Sequence, residues 1–472
     1  MKFPALIAGE ERAGDGTMAV HSPYDGKPVG EVAIAGTRDM EDAIASAALA
    51  FKDCRQLPRY ERQAILRRIA AALHERSDAL VDLMIADSGK PRRFARIEVE
   101  RAISTFSLAA DEVTRGAGEV LPLDVAPSGV GYTAIASRRA IGPIGAISPF
   151  NFPLNLAAHK IAPAIAVGNP IVLKVPPQAP LSTLELARIV YASGWPKMGF
   201  SAMHAPVEIA QALATDERIV MLSFTGSSAV GWHLKSISGR KRVALELGGN
   251  AAAIVCDDAD IAWAAQRCAL GAFAQAGQVC IKVQRIYVLR NRYEAFREAL
   301  LRETRALAIG DPNDERTMVG PVIDARSAER IADWVAQSIA GGARVLCGNT
   351  WERRVMAPTL LEDTQPSMCV ESEEVFGPVA TLRPVDSLNE AFERTNATRF
   401  GLQAGIFTHD VRTIAAAFER LDVGGVIAND YPTLRIDNFP YGGVKESGFG
   451  REGVRYAMDE MSEMKSLVIR YR

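Results

Sequence analysis

The chain has 472 residues, 48% of them apolar and 23% charged, with 54 Lys plus Arg against 56 Asp plus Glu and a formal net charge of −2. That length exceeds one hydrophobic core and suits two or three domains, and the composition excludes a disordered chain. The near-neutral balance, with no basic stripe along the sequence, argues against a nucleic-acid partner.

The first residues carry too short an apolar run to serve as a signal segment. The most apolar stretch, 161–173, is interrupted by Pro163, Gly168, Asn169 and Pro170 and falls short of the roughly 20 residues of a membrane span. Six scattered cysteines, with no Cys-x-x-Cys pair and no histidine cluster, disfavour a disulfide framework and a zinc site, so no metal is expected. A cytoplasmic, reduced enzyme without a membrane partner is the expectation. The sequon Asn396-Ala-Thr398 carries no weight without a secretion signal.

Helical spacing of apolar residues predicts amphipathic helices over 38–51 and 59–86. A strand is expected at 132–139 within the segment 116–140, which is too short to be a domain and must pair elsewhere. Short Ile/Val/Leu-rich runs follow at 142–148, 170–174, 220–224, 251–255 and 285–289, each with a turn signal and then a helical stretch. This alternation predicts parallel sheets built from βαβ units, enough for two α/β domains. The terminal run 465–471 is strand-like and needs a partner, for which another subunit is a candidate.

Three segments carry chemistry. Cys280, in Gly277-Gln-Val-Cys280, follows several small residues that allow close approach of a substrate, although a lone cysteine usually acts as a buried hydrophobe. Glu246, between Leu245 and Leu247, is a half-buried carboxylate by its neighbours: either a salt-bridged structural group or a general base with a raised pKa. Asn151 sits between aromatics and prolines in Ser148-Pro-Phe-Asn-Phe-Pro153, a rigid turn. Its amide suits an Asx turn or an oxyanion donor. No Gly-x-Gly-x-x-Gly or Walker sequence occurs, but a strand ending near Phe224, a turn Thr225-Gly226-Ser227 and a following helix offer amides to a pyrophosphate. Lys174 ends another strand, where a doubly wound sheet binds ligands.

Together these segments resemble the aldehyde dehydrogenase superfamily. The matching pieces are Pro149-Phe-Asn-Phe-Pro153, Leu173-Lys174, Ser223-Phe-Thr-Gly-Ser227, Leu245-Glu-Leu-Gly-Gly249, Gly277-Gln-Val-Cys280, Glu373-Glu-Val-Phe-Gly-Pro378 and Tyr441-Gly-Gly-Val-Lys-Glu-Ser-Gly448, in the family's order over most of the chain. The resemblance implies an α/β fold of two doubly wound domains plus a small β bridging element. The expected division is 1–115 with 141–245 for the cofactor, 246–425 for catalysis, 116–140 with 452–472 as the bridge, and 426–451 as a substrate-tunnel loop. A homodimer or homotetramer is implied. So are the roles: Cys280 as nucleophile, Asn151 as oxyanion donor, and Glu246 as activator of the water that hydrolyses a thioester. NAD or NADP would be held by Ser148, Pro149, Phe150, Lys174, Thr225, Gly226, Ser227, Leu247, Gly248, Glu374 and Phe376. CoA-acylating relatives lack the glutamate, so Glu246 favours a free acid product.

One departure bears on the coenzyme. Pro177 stands where many NAD-preferring members carry a glutamate, which leaves Lys174 open to a 2′-phosphate and predicts tolerance of NADP. A second, Met203-His204-Ala205-Pro206, has no assigned role. On the substrate side, Val279 and Ile281 give apolar walls, and the absence of an arginine at 279 disfavours a phosphorylated aldehyde. Arg101 and Arg435 are candidates for a substrate tail, in wording similar to the lactaldehyde and glyceraldehyde branch. Each would otherwise form a structural ion pair, Arg435 with Asp437 or Arg101 with Glu98. A catalytically idle binding protein and a cysteine hydrolase are the alternatives from other classes.

Overall fold

Five of the expected buried strands form the centres of two sheets. The computed structural model describes residues 1–116 and 118–471; Ala117 and Arg472, both in the expected bridging segments, lie outside the described residues. An eight-stranded sheet runs in the order Gly448–Phe449, Arg242–Glu246, Met221–Thr225, Ile144–Ile147, Ile171–Lys174, Phe200–Met203, Ala5–Ile7, Glu10–Arg12. Its five central strands are parallel, with Thr225 beside Glu246 and Ile147 beside Lys174. The chain winds outward from Ile144–Ile147 in both directions, so the topological switch point lies between that strand and Met221–Thr225, where open α/β sheets bind ligands at the carboxyl ends of their strands.

The second sheet has seven strands, ordered Arg344–Cys347, Thr359–Glu362, Val379–Val385, Arg285–Leu289, Ala252–Val255, Gln403–Phe407, Gly425–Ala428, parallel except at its first pair. Both sheets are covered by helices. The helix Asn155–Val167 is buried along nearly its whole circumference against the first sheet, as its apolar Ala/Ile composition requires, and ends at Gly168 in the left-handed conformation.

The expected long helix over 59–86 is two helices, Arg59–Glu75 and Ser77–Ser88, broken at Arg76. Apolar spacing continues through the break, and so hides it. Short strands between residues 2 and 34 were not expected; they are two to seven residues long and include Gly, Pro and charged positions that weaken any strand signal.

The orphan strands find their partners within the chain. Ser462–Arg470 pairs antiparallel with Tyr132–Ala140 along its full length, and Glu119–Pro122 closes a three-stranded sheet. Another subunit is therefore not needed to complete the pairing. One face of the sheet exposes Val120, Ile135 and Leu467 side by side, an apolar row of the kind found at interfaces, and Leu121 and Val468 are exposed on the other.

Candidate active site

Four loops leave the carboxyl edge of the first sheet beside the switch point, following Ile147, Lys174, Thr225 and Glu246. The loop carrying Cys280, which precedes strand Arg285–Leu289 of the second sheet, faces them. Between lies a cleft of about 1000 Å³. Its walls bring together Cys280, Glu246 and Asn151 with Ser148, Pro149, Phe150, Lys174, Thr225, Gly226, Ser227, Leu247, Gly248, Glu374 and Phe376. These are the three candidate catalytic residues and all eleven candidate cofactor residues.

The nucleophile loop is conformationally costly. Gln275, Ala276 and Gly277 take three successive positive φ values, 54°, 55° and 63°. Two of these are non-glycine residues, whose strain of about 1–3 kcal/mol each must be held by neighbours. Gln275 does so by donating its side-chain amide to the Asn151 carbonyl at 2.6 Å, and Asn151 donates Nδ2 to the Gln278 carbonyl at 3.1 Å. The two loops are thus cross-tied around Cys280. Its Sγ lies 3.2 Å from the Tyr441 hydroxyl. Burial pushes the thiol up to about 11, while the Tyr441 hydroxyl and the Arg435 charge act to lower it.

Glu246 is 5% exposed, and its Oε2 has no hydrogen-bond partner. Burial, reinforced by the negative charge of Glu452, raises its pKa well above the usual carboxylate value. Gly442 makes room beside it: a Cβ at that position would stand 3.0 Å from Glu246 Oε1. Behind the carboxylate, Lys160 Nζ donates to Thr225 Oγ1 at 2.8 Å and Ser223 Oγ at 3.1 Å, and lies 3.3 Å from Glu452 Oε1. Burial works against ionisation of Glu452, yet Lys160 and Arg435 hold its carboxyl at about 2. Lys160, Glu452 and the thiol contact of Tyr441 were not singled out from sequence. The run of small and apolar residues around Lys160 was their one signal: a lysine there must be paired.

The candidate cofactor residues are shaped in a way that suits such a group. Gly248 and Gly249 let the chain pass where side chains would not: a Cβ on Gly248 would overlap the Glu374 carboxylate, and one on Gly249 would sit 2.9 Å from the Cys280 carbonyl. Glu374 Oε1 accepts from the Gly249 amide at 3.0 Å, and burial lifts its pKa to about 7. Phe376, at φ 47°, meets Phe150 edge to face at 5.7 Å. Ser148 lines the cleft, and its Oγ is buried without a hydrogen-bond partner. Burial lowers Lys174 to about 8.

The four substrate candidates stand outside this cleft lining. Val279 and Ile281 are buried in an apolar cluster with Leu402 and Tyr441, against which Phe152, Phe439 and Cys280 pack. Arg101 makes a two-pronged ion pair with Asp437, at 2.6 and 3.2 Å, not with Glu98, which is taken by Lys90. Arg435 pairs with Glu452 at 2.8 Å and lies 3.9 Å from Asp437. The Arg101 pairing differs from the one expected, because its partner lies 336 positions away, whereas the expected Arg435–Asp437 ion pair is present, with Glu452 as the nearer partner. Both guanidiniums still border the thiol's aromatic surroundings, Arg435 at 3.9 Å from the Tyr441 ring centre and Arg101 at 5.7 Å from that of Phe152.

Among the described residues no group of three His, Cys, Asp or Glu side chains is placed to hold a metal ion, all six cysteines are free, and no helix is long and apolar enough to cross a membrane.

Comparison with known proteins agrees with this geometry. Residues 10–467 match the aldehyde dehydrogenase family. The 3-sulfolactaldehyde dehydrogenase of Priestia aryabhattai is 38% identical over 99% of this chain and 98% of its own. Aldehyde dehydrogenase 21 from Physcomitrella patens, solved with its reaction product succinate, superposes with a TM-score of 0.98 at 41% identity, covering 100% of this chain and 98% of that one. The NADP-dependent glyceraldehyde-3-phosphate dehydrogenase of Bacillus halodurans, solved with NADP, gives 0.97 at 32% identity with complete coverage of both chains. Match and site converge: the chain belongs to the aldehyde dehydrogenase family and is an oxidoreductase.

Proposed function

We propose that this enzyme oxidises a small aldehyde to its carboxylic acid with NAD or NADP, through a thioester on Cys280. The observation that carries the reading is one cleft in which a thiol, a buried carboxylate and a rigidly held amide converge beside a dinucleotide-sized space. The Cys280 sulfur adds to the aldehyde carbon, and the oxygen takes up the negative charge, met by Asn151 Nδ2. A bound nicotinamide supplies the hydride acceptor that converts this adduct to a thioester. Glu246 then takes a proton from water, whose oxygen attacks the thioester carbon; the C–S bond breaks, releasing acid and thiol. A cysteine hydrolase would need a histidine base, and the cleft is lined by none.

Residues 1–115 and 141–245 are assigned to coenzyme binding, 246–425 to the thiol-bearing half, and the three-stranded sheet to assembly as a dimer or tetramer. The exposed cross-strand row Val120, Ile135 and Leu467 on one face of that sheet supports the last assignment. The substrate is a short aldehyde with a hydroxyl or acid group on its tail. Arg101 and Arg435, next to the apolar thiol pocket, support this, as do the small acid-bearing compounds in the names of the relatives.

A panel of alkanals, hydroxyaldehydes and acid-bearing aldehydes, followed by reduced-coenzyme absorbance with NAD and with NADP, tests the reading. Acid formation with a hydroxylated or acid-bearing member at the highest kcat/KM is expected. Absence of coenzyme reduction across the panel overturns it. Arg435→Ala should raise KM for an acid-bearing aldehyde more than for an alkanal; equal effects leave Arg435 a purely structural role.

A further inference from the structure

A second large cleft lies away from the catalytic one, between the three-stranded sheet and the body of the coenzyme half. It has a volume of about 820 Å³, within the range of small-molecule sites. Eight cationic side chains line it against three carboxylates, in a protein whose overall charge is balanced. They come from four separate stretches: the start of helix Arg59–Glu75 with the residues before it, the end of helix Arg92–Arg115, the strand Tyr132–Ala140, and the corner from Arg455 to Lys465. That dispersal is why no basic run shows in the sequence.

Two of the cations, Arg115 and Arg138, are neutralised by Glu112 and Asp459. The other six, Arg55, Arg59, Arg62, Arg139, Arg455 and Lys465, have no carboxylate partner among the described residues, although ion pairs are abundant elsewhere on the surface. Arg59 and Arg62 do serve helix ends, donating to the carbonyls of Val113 at 3.4 Å and Ala166 at 2.6 Å. Arg62 is still left with a buried, partnerless Nε. Arg55 lies in the last turn of the helix Thr37–Gln56 and stacks on Phe51, but helix ends do not account for Arg139, Arg455 or Lys465. Like charges gathered in a partly enclosed space repel one another and gain most from a multivalent counter-ion, and arginine forks match phosphate and carboxylate oxygens.

We propose that this cleft is a binding site for a small polyanion, a metabolite with two or more phosphate or carboxylate groups, distinct from the coenzyme site. The ligand spans from the helix starts to the three-stranded sheet and ties that sheet to the coenzyme half.

The test is calorimetric titration of the full-length enzyme, loaded with saturating coenzyme so that the catalytic cleft is filled, using inorganic pyrophosphate in one arm and citrate in the other. Binding of one probe per chain is expected, with affinity reduced about tenfold in Arg139→Gln/Arg455→Gln, the loss expected from removing charge-assisted hydrogen bonds. These two side chains are exposed and remote from the thiol, so folding and basal turnover should be retained. Arg62→Gln is the buried counterpart and should weaken binding further. The stronger arm identifies the phosphate or carboxylate class. No binding by either probe overturns the proposal, as does binding unaffected by the variants. A change of oligomeric state in Arg139→Gln/Arg455→Gln without probe binding also overturns it, and assigns the cations to a contact between subunits.

Discussion

The Tyr441 hydroxyl stands 3.2 Å from Cys280 Sγ, although the two residues are 161 positions apart. The hydroxyl is the side-chain hydrogen-bond partner of the sulfur among the described residues, and it acts against the burial that pushes the thiol up to about 11. Tyr441→Phe removes it. Alkylation of Cys280 by iodoacetamide in the free enzyme should slow about tenfold at pH 8, from loss of one hydrogen bond to a charged group. In the unaltered enzyme the alkylation rate should climb steadily from pH 7 to pH 10, since the thiolate is the minor form throughout that window. An unchanged rate in Tyr441→Phe would show that the hydroxyl does not support the thiolate.

The base role proposed for Glu246 concerns the other end of the reaction. A carboxyl with a raised pKa is protonated over a wider pH range, and only its ionised form takes a proton from water, so the hydrolytic step should rise with pH through that pKa. Replacing Glu452 by Gln removes the nearest negative charge and leaves Lys160 and Arg435 facing Glu246 uncompensated. The ascending limb of the kcat–pH profile should therefore move to lower pH. Glu246→Gln should lower kcat by about 10²–10⁴, the usual scale for a general base, with an initial burst of reduced coenzyme and a thioester detectable by mass spectrometry. Unchanged steady-state turnover with no accumulated thioester would remove the base role.

Folding also has a stake near the site. Glu98 and Lys90 form a fully buried ion pair, and Glu98 Oε1 accepts the amides of Leu154 at 2.9 Å and Asn155 at 3.1 Å, three and four residues past Asn151. Lys90 Nζ sits 4.0 Å from the Phe152 ring centre. Lys90→Met strands the carboxylate and should cost about 3–5 kcal/mol in chemical denaturation. Lys90→Met/Glu98→Gln, which removes both charges, should recover most of that loss. If kcat stays depressed in the refolded double variant, the pair also positions the Asn151 turn.

What the sequence discloses follows from range. The central strands are legible because each is a short, mostly apolar run that must be buried on both faces; the observed Arg285–Leu289 matches its expected span residue for residue. Cys280, Glu246 and Asn151 are legible through motifs in which local context constrains the residue. Partners across the fold are not. Arg101 and Asp437 are 336 positions apart, and no local pattern links them. The break at Arg76 stays hidden because helical periodicity passes through it, and the cationic cleft because its members come from four stretches.

Gly248 separates coenzyme binding from thiol chemistry. A Cβ there would overlap the Glu374 carboxylate, and no Cys280 atom is among the three nearest atoms it would meet. Gly248→Ala should push Glu374 aside and raise the coenzyme KM about tenfold, the equivalent of one charge-assisted hydrogen bond. Iodoacetamide alkylation of Cys280 in the free enzyme should be unaltered. A parallel loss of both would mean that the substitution disturbs the whole cleft.

Residue 177 is the proposed determinant of the coenzyme choice. Pro177 and Gln178 line the cleft beside Lys174, so no carboxylate at these positions opposes a 2′-phosphate. Lys174 is itself lowered to about 8 by burial, so its ammonium gains more from an added dianion than an exposed lysine would. Pro177→Glu places a negative charge at the adenosine end, where it would repel a phosphate and accept from ribose hydroxyls. The ratio of kcat/KM for NADP over NAD should fall by about tenfold or more, a cost of roughly 1.4 kcal/mol or above for a like-charge contact in a partly buried site. Raising ionic strength should shrink that difference, because part of the repulsion is screened. If the unaltered enzyme proves absolutely specific for NAD, Pro177 is not the determinant.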